Sequence, residues 1–472
     1  VFSMSDNDNV YKKMLLVTAA GITGYFGLIW AGRKAIEIAT NSFIHRIMVD
    51  KYDENLWEFA SATRKVGIQN IVETNLRSQE GKVIHRPLGS PKRFPNFDSI
   101  MLNYAQLHRL PTDEGQKIDT EVIIGPMAKK PLKISMPILI SGMAYGLALS
   151  AKAKIALAKG TTMAGIAANT GEGAYLAAER RAAEKLILQY NRGKWSKSEK
   201  ILKQADAIEI HLGQGAGGGT GQAIPDKEIG YKIKRALGLK WGERAILHAT
   251  LPGIKNKDHL SKLVAYLKDV TEGVPVGVKF AGSKYIEKDM EIALDAQVDF
   301  LAFDGAQAGT KGTASILQDD FGLPTLFALK RANHYLVETN CKDKVSLIVG
   351  GGIYNPGQML KALALGADAV YIGSIALFAM SHTEVLEALP WEPPTSVVFY
   401  TGHMNKKFHV NNGAKNLHKF LKSCNEELME GVRALGKKSI KEVNKEDLFA
   451  LDSYAAEVVG IPLGYNAIPY NN

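Results

Sequence analysis

The sequence predicts an α/β protein built on a (β/α)8 TIM barrel, with an N-terminal helical or membrane segment and a C-terminal helical extension. Three observations predict it. Short β-branched-rich runs alternate with amphipathic helical patterns from Pro137 to Phe378. Eight such runs are present, and parallel strands alternating with helices close most economically into one sheet. Finally, two Gly-rich turns, residues 349–352 and 371–374, follow the last two runs. Barrels of this class usually grip a phosphate with those loops.

The strands fall at residues 137–141, 163–168, 207–211, 245–249, 274–280, 300–304, 346–349 and 369–372. Helices are expected between them, for example over 175–190, 260–270, 289–294 and 357–365. A doubly wound open sheet would carry a dinucleotide fingerprint after its first strand. The turn there reads Gly142-Met143-Ala144-Tyr145-Gly146, which is not one.

Four regions follow along the chain: 1–50, hydrophobic and amphipathic; 51–130, an irregular segment packing on the barrel; 131–390, the barrel; and 391–472, the helical extension. Residues 14–32 carry no charge and are bracketed by Lys12-Lys13 and Arg33-Lys34. As a helix they span about 28 Å, close to a bilayer core. The excess of basic residues that follows places the barrel in the cytoplasm, anchored by a transmembrane helix. Residues 35–60 extend this as an amphipathic stretch at the membrane surface. The alternative is a buried helix or hairpin docking onto a partner subunit. Residues 83–130 are Pro-rich, with strand-like character at 122–124.

Hydrophobic residues make up 46% and charged residues 22% of the 472 positions, which suits a large-cored globular protein. Cys341 and Cys424 form no Cys-x-x-Cys, so neither a disulfide framework nor a cysteine-held metal is expected. Cys424 falls on the apolar stripe Leu417, Phe420, Leu421, Leu428 and reads as core. The net charge of +10 is spread without a basic stripe carrying interleaved aromatics. Nucleic acid is therefore not the expected partner, and an anionic membrane surface suits the charge better.

Active sites in this architecture form at the C-terminal ends of the strands. That filter selects Gly142, Met143 and Ala144 after the first strand, and Asn169, Thr170 and Glu172 after the second. It also selects His211 and Gln214, then Lys279, then Asp304, Gly305, Gly309 and Thr310, and in the last two turns Gly351, Gly352, Gly373 and Ser374. Lys279 ends an apolar strand, and an ammonium there would stabilise the anion of a reduced flavin ring. Glu172 suits amine binding or proton transfer, or else the N-terminus of the following helix. His211 and Gln214 suit a carboxylate or carbonyl, with a satisfied core histidine as the bland alternative. Asp304 reads as a hydrogen-bond anchor. Six of residues 213–221 are glycine, so a G-x-G-x-x-G match there arises from composition, and the run reads as an active-site loop.

Taken together, Asn169-Thr170-Gly171-Glu172-Gly173, Ile208-Glu209-Ile210 leading to Gln214-Gly215-Ala216, Lys279, and Asp304-Gly305-Ala306 resemble the FMN-binding synthase domain of the glutamate synthase family. The 424–448 tail is similar to that family's C-terminal helix, and the resemblance covers roughly residues 85–460. It implies FMN in the barrel mouth, its phosphate on Gly351, Gly352, Gly373 and Ser374, Lys279 and Gln214 near the isoalloxazine, and Glu172 on the substrate side. The other strand-end residues named above complete the implied cofactor set.

Three departures stand against the family pattern. No glutaminase domain with a leading cysteine precedes the barrel, and the cysteine triplet of the 3Fe–4S cluster is missing beyond residue 380. Gly217 and His211 stand where the family has lysines, which removes positive charge from the site of a dicarboxylic 2-oxo acid. The expected function is FMN-dependent hydride transfer between flavin N5 and an imine or amine carbon. The substrates are 2-oxoglutarate and ammonia, or a related amine, with ferredoxin, an NAD(P)H reductase subunit or a quinone as electron partner. The alternatives are another phosphate-gripping flavoenzyme barrel, or a non-catalytic membrane-anchored flavoprotein subunit of a larger redox complex. An inosine-monophosphate-dehydrogenase type would need a nucleophilic cysteine within 305–320, and none is there.

Overall fold

The computed structural model describes residues 5–389 and 393–466, with side chains from residue 23 onward. The chain divides into two units, residues 1–84 and 85–472. An eight-stranded parallel sheet organises the second. Its strands are β1 (Ile138–Ile140), β2 (Ala167–Asn169), β3 (Lys185–Tyr190), β4 (Ala207–His211), β5 (Val276–Ala281), β6 (Phe300–Asp304), β7 (Ser346–Gly350) and β8 (Ala369–Ile372). The spatial order is β1-β8-β7-β6-β5-β4-β3-β2. The two ends of that order, β1 and β2, also approach one another, so the sheet is a nearly closed barrel.

The strands read as continuous apolar runs because both faces are covered. All five residues of β6 are buried, and Phe280 meets Phe303 edge-on at a ring separation of 4.4 Å. Register then sets the chemistry. Lys279 of β5 stands level with His211 of β4 and Ala302 of β6, while Asp304 stands level with Gly350. Gln189 of β3 is level with Glu209 of β4.

The barrel has eight strands as expected, but one of them is a different segment. Residues 175–190, expected to be helical, hold only a short helix, Ala177–Ala182, before β3. A short apolar run cannot be assigned to strand or helix by periodicity alone, and here the run Leu186 to Gln189 is wholly buried. Residues 245–249, expected in the barrel, instead supply Ala245–Leu247, which pairs antiparallel with Gln222–Ile224. Ile246 is exposed there between two buried neighbours, the alternation of a strand covered on one face.

The opposite end of the barrel is closed by the antiparallel pair Val122–Ile124 and Leu132–Ile134. The Gly125 N–H donates to Ser346 Oγ at the start of β7, at 3.0 Å. A Cβ on Gly125 would also meet Pro275 and Asp299, just ahead of β5 and β6. Ile100–Leu102 pairs with Leu448–Ala450, tying the segment before the barrel to the C-terminal extension. The long helix of that extension, Val410–Ala434, buries Leu417, Leu421, Cys424 and Leu428. It packs on the Ala151–Met163 helix, where Gly160 leaves room for Leu417.

The first unit begins with one 45-residue helix, Ser5–Val49. The membrane anchor expected at 14–32, and the localisation drawn from it, are corrected. Among the described residues no helix is long and apolar enough to cross a membrane. Side chains 14–22 lie outside the described residues. The described positions 23–32 include Gly24, Gly27 and Gly32 and are followed by Arg33-Lys34.

Candidate active site

The C-terminal mouth of the barrel opens into a cavity of about 630 Å3. Gly142, Met143, Ala144, Glu172, Gln214, Asp304, Gly309, Thr310, Gly351, Gly352, Gly373 and Ser374 line it, all of them selected from the sequence. Asn169, Thr170, His211, Lys279 and Gly305 do not reach the cavity wall; the first four are buried beside lining residues.

Lys279 is the buried charge of the floor. Its Nζ lies 3.0 Å from Asp304 Oδ2, donates to Ser141 Oγ at 3.2 Å and sits 4.8 Å from the centre of the Tyr371 ring. Burial pushes its pKa down, but the Asp304 and Glu209 carboxylates push harder, so it stands above the ordinary lysine value. A fixed positive charge therefore underlies lining residues Ser141, Asp304 and Tyr371. Asp304 is its counter-ion.

Glu172 sits in the β2 loop, held by a second cationic group. Arg192 Nε and one terminal nitrogen donate to its two oxygens, each at 3.3 Å. His211 Nδ1 lies 3.1 Å from Glu172 Oε1 but off hydrogen-bond alignment, and neither ring nitrogen of His211 finds a hydrogen-bond partner. Burial raises the Glu172 pKa; His211 and Arg192 overcome it and bring it to about 2. It is therefore a carboxylate at any working pH, an acceptor rather than a proton donor.

The two last turns supply backbone. Gly351 has φ +108, and the space beside it is taken by Thr325 Oγ1 and the Ala308 amide, so only glycine fits without strain. Gly373 precedes the Ser374–Ala388 helix, which carries no side-chain cap. A Cβ there would meet nothing nearer than Ser141 Cβ at 4.0 Å. An uncapped helix start beside open space lined by glycine is a ready anion site. Elsewhere the glycines let loops touch. A Cβ on Gly215 would collide with the Gly305 carbonyl, which packs the 213–221 loop onto the β6 loop. Gln214 donates to Thr310 Oγ1 at 2.8 Å across the same junction.

A family model described as a conserved region in glutamate synthase matches residues 94–438. The chain belongs to the glutamate synthase family. A glutamate synthase large subunit-like protein of Rhizobium meliloti is 32% identical over 398 residues, 80% of this chain and 89% of the relative. An archaeal-type glutamate synthase [NADPH] of Thermotoga sp. (strain RQ2) is 28% identical, over 91% of this chain and 86% of that one. Among solved structures, a doubly substituted flavocytochrome b2 with sulfite bound is similar at TM-score 0.50 and 17% identity, covering 80% of this chain and 84% of that one. That likeness carries the fold alone.

The departures from the glutamate synthase pattern have structural counterparts. Gly217 holds φ +143, with Thr313 Oγ1 2.9 Å from where a Cβ would stand, so the backbone is shaped against a lysine there. His211, where the resemblance implies the other lysine, is fully buried against Glu172. Several residues of the site were not selected from the sequence. Glu209 accepts from Gln189 Nε2 at 2.6 Å, Asn169 Nδ2 at 3.2 Å and the Tyr371 hydroxyl at 2.7 Å, a buried network inside the barrel beside Lys279. Gln189 was hidden by the helical reading of its segment, and Arg192 follows the same strand. Glu209 carried a signal: a lone carboxylate in an otherwise apolar strand demands partners.

Proposed function

We propose that this chain is an FMN-dependent oxidoreductase of the glutamate synthase type, acting between an amine or imine carbon and an electron partner. The observation that carries the reading is a protonated, buried Lys279 under one part of the cavity, with the uncapped helix start at Gly373-Ser374 also on its wall. A flavin mononucleotide has matching parts: a ring that gains negative charge on reduction, and a phosphate. The residues present fit it. Gly351, Gly352, Gly373 and Ser374 would hold the phosphate, and Lys279 and Gln214 would lie towards the ring.

When bound, FMN supplies a two-electron carrier that exchanges hydride with a carbon bearing nitrogen. The chain's own residues do the rest. Lys279, kept charged by Asp304 and Glu209, stabilises developing negative charge at no cost in reorganisation. Glu172, a permanent carboxylate, orients an ammonium or imine N–H by accepting from it. Gln214, fixed by Thr310, closes the loop over the cavity. The Thermotoga relative bears NADPH in its name, which favours a nicotinamide-fed reductase as the electron partner here over ferredoxin or a quinone.

The test is an absorption spectrum of the purified protein, followed by anaerobic titration with candidate amines and 2-oxo acids. A flavin spectrum bleached by an amine, or a reduced flavin reoxidised by a 2-oxo acid with ammonia, is the expected result. Protein that stays colourless after incubation with FMN ends the reading.

A further inference from the structure

Lys311 is the one lysine or arginine among the residues lining the cavity. Of the other cations close by, Lys279 and Arg192 lie behind the wall and are committed to Asp304 and Glu172, and Lys197 lies off the wall, over the Tyr190 ring. Lys311 is half-buried and makes no ion pair among the described residues. Its Nζ is held 3.1 Å from Thr401 Oγ1 and 5.3 Å from the centre of the Phe399 ring. Burial pushes its pKa down, and Glu228 offsets this only from a distance.

The course of its loop says which part of the cavity Lys311 serves. Ala308 abuts Gly351 in the β7 turn, but Thr310 is already bonded to Gln214, Gly312 abuts Gln222 and Thr313 abuts Gly217. The chain has therefore left the phosphate turns and reached the loop after β4 by residue 311. The wall near it carries Ile224, Leu247 and Phe399 beside the neutral polar Gln222, Thr310 and Thr401, and its acidic residues are Glu228, Glu172 and Asp304.

We propose that Lys311 is the carboxylate anchor of the substrate, and that the substrate is a 2-oxo or amino acid with a single carboxylate and an apolar remainder. The inference rests on the flavoenzyme reading above and deepens it. One uncommitted cation satisfies one carboxylate. A second carboxylate would find no second lysine or arginine on this wall and would face Glu228 and Glu172, which leaves its charge unpaired.

The experiment titrates FMN-loaded protein with 2-oxoisovalerate and with 2-oxoglutarate, following the flavin difference spectrum, for the parent, Lys311→Met and Lys311→Arg. The expected result is saturable binding of 2-oxoisovalerate, stronger than that of 2-oxoglutarate. Lys311→Met weakens it about tenfold or more, as loss of a charged hydrogen bond does, and Lys311→Arg largely restores it. FMN content stays unchanged in both variants. Unaltered binding by Lys311→Met overturns the proposal, as does tighter binding of 2-oxoglutarate by the parent. Loss of FMN from a folded Lys311→Met overturns it too, because Lys311 would then hold the cofactor. Failure of the parent to take up FMN is a separate readout: it removes the flavoenzyme reading and this inference with it.

Discussion

Glu172 concentrates the electrostatics of the mouth in one carboxylate. Its folded pKa of about 2 lies below the ordinary value of 4.5. The stability it contributes is therefore present above pH 4.5 and lost as pH falls from there towards 2. A shift of that size corresponds to roughly 3 kcal/mol. Urea unfolding of the parent should lose about 2 kcal/mol of this between pH 6 and 3 and the rest below pH 3, and Glu172→Gln should lose measurably less over the same interval. Equal losses would mean that Arg192 and His211 do not hold the charge. Arg192→Met, which strands Glu172, should cost about 3–5 kcal/mol at pH 7. The sequence marked Glu172 because strand ends collect chemistry. It did not mark Arg192, since an arginine in a loop looks solvated until its burial is known. Gly215 belongs to the same scale. Its missing side chain lets the β4 loop rest on the Gly305 carbonyl, so Gly215→Val should displace that loop. We expect a loss of about 1–3 kcal/mol and weaker Gln214–Thr310 coupling, read as diminished spectral response to substrate.

Among the elements, the strands that could be read from sequence were those with a distinctive composition. Val274 to Phe280, Phe300 to Asp304 and Ala369 to Ile372 are apolar on both faces and bounded by turns, which few other arrangements tolerate. β3 was illegible because Lys185-Leu186-Ile187-Leu188-Gln189-Tyr190 follows a helical Ala-Ala-Glu-Arg-Arg-Ala without a glycine or proline to mark the change. What separates the two is tertiary: the β2 and β4 edges that capture the run. The Ala151–Met163 helix shows how an element positions the site from behind. Lys154 is buried, pairs with Glu179 at 2.9 Å, and donates to the Asn169 carbonyl at 2.6 Å. It thereby joins helix, the Ala177–Ala182 helix and the end of β2. Lys154→Met should destabilise the fold by about 3–5 kcal/mol, because it leaves Glu179 buried and unpaired. Lys154→Met combined with Glu179→Leu should recover much of that, as double-mutant unfolding curves would show.

At the scale of the whole molecule, the barrel's C-terminal mouth is left to chemistry while its other end and outer face are occupied by the flanks. The pair Val122–Ile124 and Leu132–Ile134 seals the far end, and Ile100–Leu102 joins Leu448–Ala450, so segments far apart in sequence complete one core. That closure was only partly legible, since 83–130 showed proline and a single strand-like triplet, and the partner of Ile100–Leu102 lies hundreds of residues away. Among the described residues, the buried core begins at Phe97 and includes none of the first unit. The energetics of the barrel should therefore be independent of residues 1–84. A chain starting at His85 is expected to fold to the same circular dichroism, bind FMN in the same ratio, and melt within a few degrees of the full chain, since a shift of that size reflects little lost free energy in a domain this large. A melting temperature lowered by much more, or a protein that no longer takes up the flavin, would show that residues 1–84 contribute to the core.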